Sequence, residues 1–295
     1  NKAAPPAPSS SAPASAAASG DAQIVKLASV APMSGSQAHY GKDNANGVQM
    51  AVDELNKQGM VIGGKKVRFE AVIEDDGADP KQGTAVAQKL CDAKVNGVVG
   101  HLNSGTTIPA SKVYNDCGLP MVTGAATNPA LTKPGYKTTF RIIANDNALG
   151  AALADEAKAM GLKRVAVIDD RTAYGQGLAE VFTDVAKKNG LEVVSQQFTN
   201  DKATDFMAIL TEIKAKKPDS IFYGGMDAQA APMLRQIEQL GMGNVKFFGG
   251  DGICTAEIYK LSGESKAVNN VFCAVGGGAL EKMAGGPAWK ARYDA

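Results

Sequence analysis

"VVGHLNSGTTIPAS", residues 98–111, is the stretch on which the reading of this chain turns. Apolar Val98 and Val99 lead into His101, Asn103, Ser104, Thr106 and Thr107, and a helical pattern follows. A histidine and a run of hydroxyls stand together, as at the start of an active site. A nucleophilic serine, however, needs a base that is itself held by a third group. His101 lies three residues before Ser104, His39 lies in what reads as another loop, and no G-x-S-x-G elbow surrounds Ser104. The other reading is a short buried strand, a loop and a helix N-terminus. There, free backbone N–H groups point outward and suit an anion the size of a carboxylate.

The same unit repeats in both directions. Upstream, "IVKLASVA" (24–31) reads as a strand, 43–59 as an amphipathic helix ending at Gly59, "KVRFEAVIE" (66–74) as a strand and 79–93 as a helix. In that last helix Asp79 is a candidate N-cap and Pro80 the first helical residue. Downstream, "LPMVTG" (119–124) is a further strand. The rhythm restarts near residue 147, with helices at 147–161, 175–189 and 228–240, another marked by Phe206, Ile209, Leu210 and Ile213, and strands "RVAVID" (164–169), "LEVVSQQF" (191–198), "SIFYGG" (220–225) and "VKFFGG" (245–250). Repeated strand–helix units predict parallel sheets covered on both faces. Two runs of them predict two similar lobes: 24–144, then 145–275, joined near 144–146. Residues 276–295 read as the start of a return into the first lobe. A helix begins near Ala288 and no capping glycine or strand follows it, so the chain reads as C-terminally truncated.

Residues 1–23 are nearly all Ala, Pro and Ser, too poor in large apolar side chains for a core, and read as a disordered tether. The sequence starts at Asn1, which suggests a removed targeting segment. Lys plus Arg total 31 and Asp plus Glu 30, so no net field favours nucleic acid or an anionic membrane. No run approaches the roughly 18 apolar residues of a membrane span.

Four cysteines and two histidines without a C-x-x-C argue against zinc. The four allow three pairings. Each close pair is separated by one strand–helix unit, so Cys91–Cys117 and Cys254–Cys273 is the preferred set, suited to an oxidising compartment. A phosphate loop fails at Gly35: five residues instead of four precede Gly41-Lys42, and Asp43 follows where Ser or Thr is required. "EDDGADP" (74–80) lacks the alternating ligands of a calcium loop. No metal and no cofactor is expected.

In a doubly wound sheet, ligands bind at the C-terminal ends of the strands. Ser104 is at one such end and "TGAATNPA" (123–130) at the next. One edge offers donors, while the other offers a carbonyl at Ala125 and a hydroxyl at Thr127, a complementary pair for a zwitterion.

"GHLNSGTTIPAS", "GAATNPALT", "DDRTAYGQGLAEVF" and "YGGMDAQAAPMLRQ" together resemble the periplasmic leucine/isoleucine/valine-binding proteins of ABC transporters, from about Ile24 to the end. The resemblance implies an α/β chain of two doubly wound parallel-sheet lobes with a hinge, the type I periplasmic binding fold, closing over an amino acid. It implies that the Ser104 hydroxyl and nearby N–H groups, with Asn103 beside them, hold the α-carboxylate, helped by the Thr127 N–H. The Ala125 carbonyl, next to Ala126, and the Thr127 hydroxyl would accept from the α-ammonium. Asp251 would supply the countercharge, Tyr174 would close over the carboxylate side, and Tyr40, Leu102 and Met226 would line the side-chain pocket. Three departures stand out. Asp251 replaces the glutamate common in the family, Met226 stands where an aromatic residue is common, and Ala78 and Asn103 occupy the positions of a family disulfide.

The function implied is an extracytoplasmic solute-binding protein, not an enzyme. It would carry a free aliphatic amino acid to a membrane permease, as a monomer in the periplasm, with anchoring through an absent N-terminal Cys left open. The alternative is an amino-acid-sensing receptor ectodomain of the same fold. A repressor would need an N-terminal helix-turn-helix in place of the Ala/Pro tract.

Overall fold

The structure is a computed structural model that describes residues 22–295. Most of the expected tether, residues 1–21, lies outside the described residues; Gln23, at its expected end, instead opens the first strand.

That strand, β1 (Gln23–Ala31), is exposed where it begins and fully buried over Ala28–Ala31, as expected of a strand entering the middle of a covered sheet. Next come α1 (Ala38–Gln58), β2 (Val61–Ile62), β3 (Lys65–Asp75), α2 (Pro80–Asp92), β4 (Gly97–Gly100), α3 (Ser104–Cys117), β5 (Met121–Thr123) and β6 (Thr139–Arg141). The sheet order is β2-β3-β1-β4-β5-β6, all parallel except the two-residue β2. Winding reverses between β1 and β4, so the crevice of this lobe opens beyond their C-terminal ends. Val48, Val52, Val67 and Phe69 pack on one face of the sheet; Val86, Leu90, Val98 and Tyr114 pack on the other.

The second lobe repeats the plan with α4 (Asp146–Ala159), β7 (Arg164–Asp169), α5 (Ala173–Lys188), β8 (Glu192–Phe198), α6 (Met207–Ala215), β9 (Ser220–Gly224), α7 (Asp227–Gln239), β10 (Lys246–Gly249), α8 (Glu257–Ser262) and β11 (Val271–Cys273). Its order is β11-β10-β9-β7-β8, with the reversal between β7 and β9. All five residues of β9 are buried. Phe222 stacks on Phe182 of α5 with centroids 4.0 Å apart, while Tyr223 faces the opposite cluster. Gly175 and Gly224 let α5 press onto the end of β9. A Cβ on either would lie 2.1–2.3 Å from the other's carbonyl oxygen. That close approach places the start of α5, with Tyr174, beside the crevice.

The final helix, α9 (Gly286–Tyr293), starts two residues before the expected Ala288, with Pro287 in its first turn. Its Arg292 Nε donates to Glu54 of α1 at 2.8 Å. Cys91–Cys117 and Cys254–Cys273 are both disulfides, the preferred pairing. Among the described residues, no helix is long and apolar enough to cross a membrane.

One expectation is corrected. α1 begins at Ala38 rather than residue 43, so His39 and Tyr40 belong to a helical turn and not to a loop. The N-cap Gln37 makes no side-chain cap bond, so the start carries no sequence signature. Gly41, which reads as a loop residue, is required inside that turn because a Cβ there would lie 2.0 Å from the Pro32 carbonyl oxygen.

Candidate functional site

The C-terminal ends of both sheets face one cleft of about 170 Å³. Of the expected site residues, Tyr40, Leu102, Asn103, Ser104, Ala125, Tyr174, Met226 and Asp251 line it, joined by Gly124 and Gly252. Ala126 and Thr127 do not: they are buried behind the lining.

On the first-lobe side, α3 starts at Ser104 with Asn103 as its N-cap. Asn103 makes no capping bond and instead donates through Nδ2 to Gln37 Oε1 at 2.7 Å. The first amides of α3 are therefore left without a capping acceptor, at the positive end of the helix. The Ser104 hydroxyl accepts from the Asn128 N–H at 3.1 Å, which ties the two strand-end loops together. Both histidines are engaged elsewhere. His101 is fully buried, with Nδ1 2.7 Å from Asp76 and Nε2 2.9 Å from the Tyr114 hydroxyl. His39 pairs with Asp227. Neither is bonded to Ser104, so this serine lacks the base that a nucleophile would require.

On the second-lobe side, the Tyr174 hydroxyl donates to Asp251 Oδ1 at 2.8 Å and accepts from the Gly252 N–H at 3.0 Å. The Gly252 carbonyl accepts from the Tyr40 hydroxyl at 2.8 Å, a bond across the lobes. A Cβ at residue 252 would lie 2.8 Å from the Gly225 carbonyl oxygen and 2.7 Å from Met226 Sδ, so glycine lets this backbone pass. Burial raises the Asp251 carboxyl above the usual carboxylate range, an effect the Tyr174 hydrogen bond partly offsets. Burial also pushes the Tyr174 hydroxyl up, and the charge of Asp251 adds to it.

The sequence reading missed Asp146. It is the first residue of α4, where it looks like an ordinary first-turn acid. Its amide donates to the Thr127 carbonyl at 3.0 Å, and the residue is fully buried. Neither of its carboxylate oxygens, nor the Thr127 hydroxyl, has a hydrogen bond of normal geometry. Burial raises the Asp146 carboxyl to about 7. The nearby Thr127 hydroxyl lowers it somewhat and the charge of Asp251 adds to the rise. Asp251 thus lines the cleft, and behind the lining Asp146 and the Thr127 hydroxyl, both without partners, stand within its electrostatic reach. That set of acceptors calls for a cation with N–H donors.

Stability follows from this in a definite direction. The unfolded Asp146 ionises near pH 4, while the folded carboxyl holds its proton to about 7. Asp146 therefore costs stability progressively as the pH rises across that window. Asp146→Asn should stabilise the ligand-free protein by about 2–4 kcal/mol at pH 8 and hardly at all at pH 4. Urea unfolding at both pH values checks this; an equal gain at both would show that the acid is compensated in the fold.

A family model described as periplasmic binding protein matches residues 24–295. The chain belongs to that family. A Leu/Ile/Val/Thr-binding protein of Salmonella typhimurium is 36% identical over 245 residues, covering 83% of this chain and 66% of the relative. The leucine-, isoleucine-, valine-, threonine- and alanine-binding protein of Pseudomonas aeruginosa is 35% identical, covering 83% and 65%. This periplasmic binding protein chain therefore spans about two thirds of the length of these relatives. Among solved structures it superimposes on the branched-chain amino acid transporter substrate binding protein of Streptococcus pneumoniae in complex with isoleucine. The TM-score is 0.80 at 27% identity, over 92% of this chain and 76% of that one. The type I fold, with its two parallel-sheet lobes, is common to both.

Proposed function

We propose that this chain captures a free aliphatic L-amino acid, a branched-chain one above all, between its lobes and delivers it to the permease of an ABC transporter. The observation that carries this reading is the polarity of the cleft. Uncapped amides of α3 and the Ser104 hydroxyl stand on one side. Asp251 stands on the other, with Asp146 and the Thr127 hydroxyl buried behind the lining and without partners. An α-amino acid carries that same pair of opposite charges. Between them Tyr40, Leu102 and Met226 offer a wall without charge. The names of the relatives support the same ligand class. In this reading Ser104, Asn103 and the Thr127 amide serve the carboxylate. Asp251, the Ala125 carbonyl with Ala126 beside it, and Thr127 serve the ammonium, with Asp146 behind Thr127 as a further negative charge. The protein acts without cofactor or catalysis, as a monomer in the periplasm.

A thermal-shift screen over the twenty amino acids tests it. Leucine, isoleucine or valine should give the largest rise in melting temperature. A screen with no shift, or one led by an acidic or basic amino acid, would overturn the reading.

A further inference from the structure

The turn that carries Asp251 to the cleft is covalently tied at its far end. The chain leaves β10 at Gly249, forms a short 3-10 turn over Asp251–Ile253 and reaches Cys254. The Cys254 N–H donates to the Asp251 carbonyl at 3.0 Å and closes the turn. A disulfide then joins Cys254 to Cys273, the last residue of β11. Cys273 is also the register partner of Gly249, and the Ala274 N–H donates to the Gly249 carbonyl at 3.3 Å. Both ends of the stretch from Gly249 to Cys254 are therefore fixed to the same two residues. Between those ends stand Asp251 and Gly252, which line the cleft, and Ile253, which is buried. Ile253 folds back over β10, since a Cβ at residue 249 would lie 2.4 Å from its Cδ1. Neither cysteine lines the cleft. The other disulfide, Cys91–Cys117, ties the C-terminal ends of α2 and α3. With 14 residues in α3, it lies about 20 Å from Ser104.

We propose that Cys254 and Cys273 are positioning residues: their disulfide holds the Asp251 turn where it meets the ligand, and cutting it weakens binding through Asp251. A turn released at one end samples other placements. Apparent affinity then falls with the fraction of molecules in which the turn stands correctly, and a group fixed beforehand loses no freedom on binding. Sheet pairing does not supply this restraint. β11 is a three-residue strand at the sheet edge, and its bonds to β10 hold only the Gly249 end of the stretch. Two tyrosines hold the middle. Tyr174 bonds to the Asp251 carboxyl and the Gly252 N–H, and Tyr40 bonds to the Gly252 carbonyl. The Tyr40 bond crosses the lobes, so it acts only when they are joined. The disulfide lies within the second lobe and restrains the turn in either arrangement. Cys91–Cys117, by contrast, stabilises the first lobe without touching any loop that lines the cleft.

The choice of L-leucine as the probe rests on the function proposed above; the restraint on the turn does not. The full chain carrying Cys91→Ala and Cys117→Ala keeps one disulfide, and Cys273 is exposed to a reductant. Tris(carboxyethyl)phosphine cuts that bond: the phosphine is oxidised to its oxide with oxygen from water, and the two sulfurs take up the two protons. By calorimetry, the affinity for L-leucine should match that of the wild type before reduction, fall about tenfold on reduction and return on reoxidation. The variant Cys254→Ala/Cys273→Ala, with the other disulfide intact, should show the same loss. With Asp251→Ala added, cutting the disulfide should cost less than about twofold, because no carboxylate remains to misplace. An affinity unchanged by reduction, or an equal loss with and without Asp251, overturns the proposal. Hydrogen exchange of the ligand-free chain supplies a second readout. The Gly252 and Cys254 amides should exchange at least about tenfold faster once the bond is cut, while those of β4 keep their rates. If L-leucine does not bind while these amides respond, the ligand assignment fails and the restraint stands. Amides of the turn indifferent to the disulfide overturn the restraint even where leucine binds.

Discussion

Asp251→Ala is expected to weaken L-leucine binding by at least about thirtyfold. Tyr174 holds one oxygen of Asp251 at 2.8 Å, and burial already raises its carboxyl. An ammonium arriving there would favour the ionised form and oppose that rise. Removing one partner of a desolvated pair costs about 2–5 kcal/mol, because the other charge stays buried without compensation. Alanine also leaves the Tyr174 hydroxyl without its acceptor, which adds to the loss. Calorimetry decides the matter: an affinity within a few-fold of the wild type, in a variant with an unchanged melting temperature, would remove Asp251 from the site.

Selectivity should show the second large effect. The zwitterion is common to all amino acids and contributes affinity without choosing among them, so choice falls to Tyr40, Leu102 and Met226. Leucine carries three more carbons than alanine. At about 0.8 kcal/mol per buried CH₂ this is about 2.4 kcal/mol, on the order of fiftyfold in affinity. A lysine or aspartate side chain would have to bury a charge against the same wall, at a cost of several kcal/mol. Competition calorimetry should place leucine, isoleucine or valine well ahead of alanine, with charged amino acids hardly bound. Preferred binding of a charged ligand would mean that Tyr40, Leu102 and Met226 do not form the side-chain pocket.

The repeat of strand and helix made the two-lobed fold legible, because each buried parallel strand is an apolar run and each helix an amphipathic one. The three-residue strands β6 and β11 escaped; β5 is as short, but it lies inside the apolar run 119–124, whereas β6, TFR, has one apolar residue among polar ones. Of the eight lining residues named from the sequence, Ser104 and Ala125 follow from the way doubly wound sheets bring their strand ends together, and the other six rest on the family resemblance. Asp146 and Asp227 were not legible. Each looks locally like an acid complementing the start of its own helix, and only tertiary packing gives it another role. In Asp227 the partner lies 188 residues away in the chain. Thr127 shows the converse: local position put it on the cleft, yet the turn after β5 buries it behind Ala125.

The bonds from Tyr40 to Gly252, from His39 to Asp227 and from Asn128 Nδ2 to the Ala173 carbonyl at 2.5 Å all join the lobes through the protein's own groups. Closure thus has a component that owes nothing to cargo. In terms of populations, these bonds favour the joined arrangement in the empty molecule, and a ligand shifts the balance only by its preference for that arrangement. On the function proposed above, strengthening these bonds would raise apparent affinity, but it would also raise the number of vacant molecules that a permease sensing only closure would mistake for full ones. In that case, how tightly such a protein holds its cargo and how faithfully it reports that cargo are separate properties, set by different atoms.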